Sequence, residues 1–449
     1  MEEYTLPLLM VTALVLGIFS GYPVAFVLAG VGVTFTFMAG IPTLFLGTVV
    51  SRIFTGVIAN WLLMAVPLFI FMGLMLERAG TARRLLLSLE RLFSGVRGGL
   101  AVAVALLGVI MAASTGIIGA SVVMLGVMAL PVFIKQGYDK RLAAGTVAAS
   151  GTLGILIPPS IMLVLVGDLL QISVGDLFLA AIFPGLILGG LYVVYILGVA
   201  FFQPHKAPVG ERDSTLTGVA LALEVTRDLV APVMLIIGVL GSIMAGVATP
   251  TEAAAIGAAG SLILAAMARE ISWLSVRETA EDTTKTTAMI LFIAIGATTF
   301  SAVFKHVGGD LMIEDMVAAM VVGPYATLGL LLVFIFILGF FLEWIEISYI
   351  VLPLFAPIVA QLDFGLGLTA PQTLMWFAIL VAVNLQTSFL TPPFGYALFY
   401  LKGIAPPEIT MSIIYRAIIP FVILQLIGLG IAVMFPQVVL WLPNALSPM

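Results

Sequence analysis

The sequence predicts an all-α polytopic membrane protein, an inverted-topology repeat with about ten transmembrane helices, two re-entrant helical hairpins and two broken helices. Three observations carry that reading. Of 449 residues, 62% are hydrophobic and 9% charged, with a mean hydropathy of +1.24, where a soluble domain carries about 25% charge. Two apolar runs, 100–134 and 325–360, are each about 35 residues long, too long for one span and tight for two. Two proline pairs, Pro158-Pro159 and Pro392-Pro393, interrupt apolar stretches at matching places in the two halves.

Composition removes several function classes. With no cysteine, disulfides, thiolate metal sites and cysteine nucleophiles are excluded together. The two histidines, His205 and His306, are too far apart for a local metal motif, and neither an H-E-x-x-H helix nor a G-x-x-x-x-G-K-[ST] phosphate loop is present. Uphill transport by this chain therefore needs an energy source other than its own ATP hydrolysis. A net charge of -5 without a basic patch points away from nucleic acid. An intramembrane enzyme would need a nucleophile and base or a metal cluster, which this composition does not supply.

Single spans are expected at 5–20, 22–40, 59–76, 177–202, 228–247, 250–267, 287–303 and 411–435, with longer interrupted segments at 142–167 and 373–402. The opening Met-Glu-Glu-Tyr lacks the positive region of a secretory signal, so the first helix is expected to be retained. Each arm of the two long runs, about 16 residues at about 1.5 Å per residue, reaches past mid-bilayer. Re-entrant hairpins fit that length, and two short spans joined by a tight turn remain the alternative. If the loop 77–99 is cytoplasmic, every Lys and Arg except Arg52 and Lys305 falls inside. The positive-inside rule then puts both termini outside. The same count opens the first hairpin inward and the second outward. The amphipathic stretch 78–97, with Arg78, Arg83, Arg84, Arg91 and Arg97, reads as an arm on the cytoplasmic surface.

The breaks read Ala-Ser-Gly-Thr-Leu-Gly-Ile-Leu-Ile-Pro-Pro-Ser (149–160) and Leu-Gln-Thr-Ser-Phe-Leu-Thr-Pro-Pro-Phe-Gly (385–395). Proline removes a backbone donor and clashes with the preceding turn. Carbonyls freed near mid-bilayer must then find protein, water or ions. The first hairpin tip, Ala112-Ala113-Ser114-Thr115-Gly116, is small and hydroxylated, and the second, 339–346, carries Glu343 and Glu346 within an apolar run. Intramembrane carboxylates are costly and mark functional sites, although a tip at the outer interface would expose them. Glu252, just after Thr249-Pro250-Thr251, reads as a helix cap.

These segments, with Thr249-Pro250-Thr251-Glu252-Ala253-Ala254-Ala255 and Gly21-Tyr22-Pro23-Val24-Ala25, resemble the large membrane subunit of tripartite ATP-independent periplasmic (TRAP) transporters over essentially the whole chain. The resemblance implies a sodium-driven, elevator-type importer of organic acids in a bacterial or archaeal cytoplasmic membrane. Its partners would be a periplasmic substrate-binding protein and a small membrane subunit supplied as a separate chain. Carried over by motif, one sodium site falls on Ser114, Gly154, Ile157 and Pro158, the other on Gly339, Ser388, Thr391 and Phe394. Thr115, Pro159, Glu343 and Pro393 would face the substrate. The chain departs from the family pattern at Ile117, where a second serine is common, at Ser388, where glycine is common, and at Glu343, where aspartate is common. The implied cargo is two or more sodium ions per cycle, with no nucleotide. Each net charge carried inward is worth about 2.3 kcal/mol per 100 mV.

The elevator reading divides the chain into scaffold and arm (1–99), first half of the transport domain (100–176), connecting scaffold (177–286), second half of the transport domain (287–410) and C-terminal helix (411–449). A sodium or proton antiporter on a related inverted-repeat fold is the competing function, since Glu343 and Glu346 could cycle protons.

Overall fold

Several helix starts fall where the sequence supplies a cap. Thr249 and Glu252 form a reciprocal capping box, with the Glu252 carboxylate accepting from the Thr249 backbone N–H at 2.8 Å, as the acidic first turn led us to expect. Thr369 and Gln372 build the same box at another helix start. Asp139 caps a third by accepting from the backbone N–H of Arg141 and of Leu142.

The computed structural model describes residues 4–115, 118–210, 219–319, 323–393 and 395–446, without the side chains of 113–115, 219–222, 224, 227 and 318. Its first half contains α1 (Thr5–Phe19), α2 (Val24–Met38), α3 (Leu44–Ile53), α4 (Ala65–Arg78), α5 (Thr81–Phe93), α6 (Gly99–Thr115), α7 (Ile118–Lys135), α8 (Lys140–Thr152), α9 (Ile161–Leu170) and α10 (Val174–Phe202). The second contains α11 (Val219–Met244), α12 (Pro250–Met267), α13 (Trp273–His306), α14 (Gly309–Ala319), α15 (Pro324–Leu338), α16 (Trp344–Ala360), α17 (Ala370–Leu390), α18 (Tyr396–Ile404), α19 (Met411–Met434) and α20 (Gln437–Leu446). Among the described residues the fold is all-helical, and the isolated bridge between Arg97 and Val209 belongs to no strand.

Seven helices among the described residues are long and apolar enough to cross a membrane, fewer than the spans expected from sequence. Four expected spans are not among them: α1 and α2 stop at 15 residues each, the segment 142–167 is divided between α8 and α9, and Asp228–Met244 of α11 is a shorter apolar stretch. Both long apolar runs do form helix pairs, α6/α7 and α15/α16. Because α7 is itself one of the seven, length alone does not choose between a re-entrant pair and two short spans. Three helices, α3, α14 and α20, were not anticipated. The span expected at 287–303 is the second half of α13, which begins at Trp273. A hydropathy window ends where charge begins, but the helix continues on ion pairs. Arg277 pairs with Glu281 at 2.8 Å and Lys285 with Asp282 at 3.2 Å, while Arg78 of α4 reaches Glu278 and Asp282.

The two halves interlock by exchange. The pair α6/α7 packs on α8 and the pair α15/α16 on α17. The second arm of each pair then contacts the helix beyond the other half's break, α7 against α18 and α16 against α9. Flanking helices repeat the pattern, with α2 on α13 and α12 on α4, and with α10 on α17 and α19 on α8. Close crossings depend on glycine. A Cβ on Gly145 of α8 would lie 2.5 Å from the Ala417 carbonyl and 2.6 Å from the Phe421 ring of α19. Gly145→Val is therefore expected to cost about 1–3 kcal/mol through overpacking, read as a lowered midpoint in thermal unfolding of the detergent-purified protein.

Loop contacts fall into two groups. In one, Arg78 meets Glu278 and Asp282, Gln136 meets Glu90 and the Asp139 backbone N–H donates to the Lys206 carbonyl. In the other, Tyr4 meets Asp315, Asn60 meets Asp168, the Phe45 ring meets His306 and Gln372 meets Asn444. Each contact joins loops that the charge count puts on the same side. Tyr138 closes the open end of α6/α7 by accepting from the Leu100 backbone N–H at 3.2 Å. Burial pushes its phenol up to about 12, so it stays neutral there. The arm α5 packs on α6 and α11, and its Ser88, 1% exposed, donates to Asp228.

Candidate ion and substrate site

Both breaks follow from which donors proline withdraws. In a continuous helix the residues at 158 and 159 would donate to the carbonyls of Gly154 and Ile155, and proline cannot. The chain responds with a short 3-10 turn over Leu153–Ile155, a turn at Leu156, bends at 157–159 and extended backbone at Ser160, from which α9 starts. The buried Ser160 hydroxyl donates to the Ile155 carbonyl at 2.6 Å, replacing one lost donor. Ile157 keeps its own backbone bond, its N–H donating to the Leu153 carbonyl at 3.1 Å. Pro158 and Pro159 are both buried.

At the second break α17 stops at Leu390, and Thr391 turns to extended backbone. The Thr391 hydroxyl donates back to the Thr387 carbonyl at 2.8 Å, and the Gly395 backbone N–H donates to the Thr391 carbonyl at 3.1 Å. Ser388, one turn earlier, is 0% exposed, and its Oγ has no hydrogen-bond partner. Directly against it lies Gly339, at the tip of α15/α16, where any Cβ would collide with that Oγ. Gly339 and Ser388, far apart along the chain, are thus brought together as a glycine cradle around an unpartnered hydroxyl. The Tyr396 hydroxyl, just past the break, donates to the Phe341 carbonyl of the same tip at 3.1 Å.

A cavity of about 300 Å³ opens where the two helix-pair tips approach the second break. Its walls include Gly119 from the first pair, Glu343 and Trp344 from the second, and Phe389, Tyr396 and Tyr400 around the break. Gly119 sits close enough to Tyr400 that a Cβ there would lie 3.0 Å from the ring. Of the substrate-facing residues expected from sequence, Glu343 lines this cavity. Pro159 is buried elsewhere, and Pro393 is exposed with its carbonyl accepting from the Tyr415 hydroxyl at 3.1 Å. Ser114 and Thr115 end α6 and their side chains lie outside the described residues, as does Phe394. Tyr396 and Tyr400 were missed. Their spacing of four puts both on one helical face just beyond a break, which is the signal that could have found them.

The family model for the DctM component of the tripartite ATP-independent periplasmic transporter matches residues 11–438. The chain belongs to this TRAP permease family. The TRAP permease is 33% identical over 389 residues to the C4-dicarboxylate TRAP transporter large permease protein DctM of Pseudomonas aeruginosa, covering 86% of this chain and 87% of that one. It is 24% identical to the sialic acid TRAP transporter permease protein SiaT of Haemophilus influenzae, covering 86% of this chain and 60% of that longer one. Its fold is similar to the crystal structure of the Alcanivorax borkumensis YdaH transporter, with a TM-score of 0.59 at 14% identity over 87% of this chain and 88% of that one. The TRAP permease is accordingly a multi-pass subunit of a bacterial inner-membrane transporter, and its relatives are permeases, not enzymes.

Proposed function

We propose that this permease imports an organic acid, driven by sodium, after a periplasmic binding protein delivers it and with a small membrane subunit bracing the scaffold. The 33% identity to a permease named for C4-dicarboxylates makes that class the first substrate to try. The observation that carries the sodium reading is the buried, unpartnered Ser388 hydroxyl cradled by Gly339 at a broken helix. Sodium is a hard cation that takes oxygen ligands, and breaks of this kind supply them as carbonyls and hydroxyls. One ion would be held by Gly339, Ser388, Thr391 and Phe394, the other by Ser114, Gly154, Ile157 and Pro158. Substrate would sit between the tips, with Glu343 and Thr115 near it.

The exchange packing supports an inverted repeat, because each pair's second arm meets the other half's broken helix. The two groups of loop contacts support pairs that open toward opposite faces, with both termini on the periplasmic side. In this reading the two pairs and two broken helices form a transport body that slides as an elevator against the remaining spans and the arm α5. The test is uptake into proteoliposomes that contain the permease, its small membrane partner and the loaded binding protein. An inward sodium gradient should drive labelled C4-dicarboxylate uptake without nucleotide. Uptake indifferent to sodium would sink the coupling assignment.

A further inference from the structure

Glu346 is the third residue of α16's first turn, three positions after Glu343 caps the helix. The start of α16 has no side-chain cap hydrogen bond, and an acid in the first turn is favoured by the helix N-terminus. The residue is 7% exposed, and its Oε2 is buried with no hydrogen-bond partner.

A buried carboxylate is tolerated when it is paired or neutralised. On its own helix Glu346 faces Glu343, a like charge. From α18 the phenol of Tyr396 lies near both carboxyls and that of Tyr400 near Glu343, and neither phenol is a cation. The helices packed on α16 are α9, α13, α14, α15 and α17. Asp168 at the far end of α9 acts on Tyr349; α17 has no ionisable side chain, and Tyr325 stands at the distant start of α15. Among the described residues, no Lys, Arg or His of α13, and no acid of α14, acts on Glu346.

We propose that Glu346, one helical turn beyond the Glu343 that lines the cavity, is a proton-binding site of the transport body. This deepens the import reading and rests on it for the link to transport. Sodium would need several oxygens converging on one point, as a broken helix supplies with its freed carbonyls, whereas Glu346 sits in the first turn of α16, where the unpaired backbone groups are N–H donors. A proton needs only one oxygen. Binding converts the carboxylate and one proton into a neutral carboxylic acid, and release reverses it, so the site adds one positive charge to whatever crosses with it. The gain is local too, since an anionic substrate entering beside Glu343 would otherwise meet two carboxylates.

Infrared difference spectroscopy on the purified permease in nanodiscs, without sodium or substrate, reads the site directly. A carboxylic-acid C=O band sensitive to deuterium exchange is expected at neutral pH and should be lost in Glu346→Gln, whose unfolding midpoint should match wild type because glutamine keeps the size and shape of the neutral acid. A band unchanged by that substitution would overturn the proposal. So would conversion of the band to carboxylate bands on adding NaCl at constant pH, which would make the site a sodium site. In proteoliposomes loaded with a pH-sensitive dye, wild-type uptake should acidify the lumen, and Glu346→Gln uptake should not. Acidification that persists in the variant would also overturn it. Failure of sodium-driven uptake would count against the import reading and leave the infrared result standing.

Discussion

Gly339→Ala is expected to abolish the response to sodium while the protein remains folded. The added methyl collides with the Ser388 Oγ, and α17 cannot yield because its residues from Met375 to Leu390 are all buried. The hydroxyl must rotate or the tip must retreat, and either movement opens the cradle. An ion that binds only the folded protein stabilises it by about 2.7 kcal/mol at a hundredfold excess over Kd. The wild-type unfolding midpoint should therefore rise when choline chloride is replaced by sodium chloride, and the variant midpoint should not. Uptake should fall by at least tenfold, the equivalent of about 1.4 kcal/mol at the ion site. Ser388→Gly removes the colliding atom, so Gly339→Ala with Ser388→Gly should regain part of the sodium shift. A Gly339→Ala permease with the full wild-type shift would remove this pair from the ion site.

The backbone of that site was legible in the sequence because proline chemistry is local. Pro158-Pro159 and Pro392-Pro393 had to break their helices whatever surrounded them, and Thr249 with Glu252 had to start one. The long apolar runs likewise had to fold back, and they form α6/α7 and α15/α16. Meetings between distant segments were not legible in the same way. The exchange of α7 onto α18 and α16 onto α9 is a tertiary choice that no periodicity encodes, and it decides which residues line the cavity. Gly339 and Ser388 were paired by family resemblance, while Tyr396 and Tyr400 went unnoticed because aromatic residues are ordinary in apolar helices. Ser88 makes another contact that no periodicity encodes. On an amphipathic arm a serine reads as solvent-facing, yet it is buried against α11 by its bond to Asp228, a polar pair hidden inside an apolar contact.

Joining Asn60 to Asp168 is expected to stop transport altogether. Asn60 precedes α4 and donates through Nδ2 to both carboxylate oxygens of Asp168, at 2.8 and 2.9 Å, while its own Oδ1 accepts from the Leu62 backbone N–H. Asp168 lies near the end of α9, so the bond ties the proposed scaffold to the proposed transport body beside a cavity of about 420 Å³ lined by Trp61, Ile172 and Pro250. A sliding body must break this bond in every cycle. Because the chain contains no cysteine, Asn60→Cys with Asp168→Cys can be bridged by a short, reducible bifunctional thiol reagent. Uptake should disappear on bridging and return on reduction, while each single variant should be indifferent to the reagent. A parallel readout follows Ser348→Cys, 0% exposed, against Leu92→Cys on the arm, where the native side chain is 44% exposed. The first thiol should gain reactivity toward an impermeant reagent when sodium and substrate are supplied, and the second should react throughout; Ser88 is too buried to serve as that control. A bridged permease that still transports at its unbridged rate would mean that residues 60 and 168 travel together, and the boundary between scaffold and moving body would have to lie elsewhere.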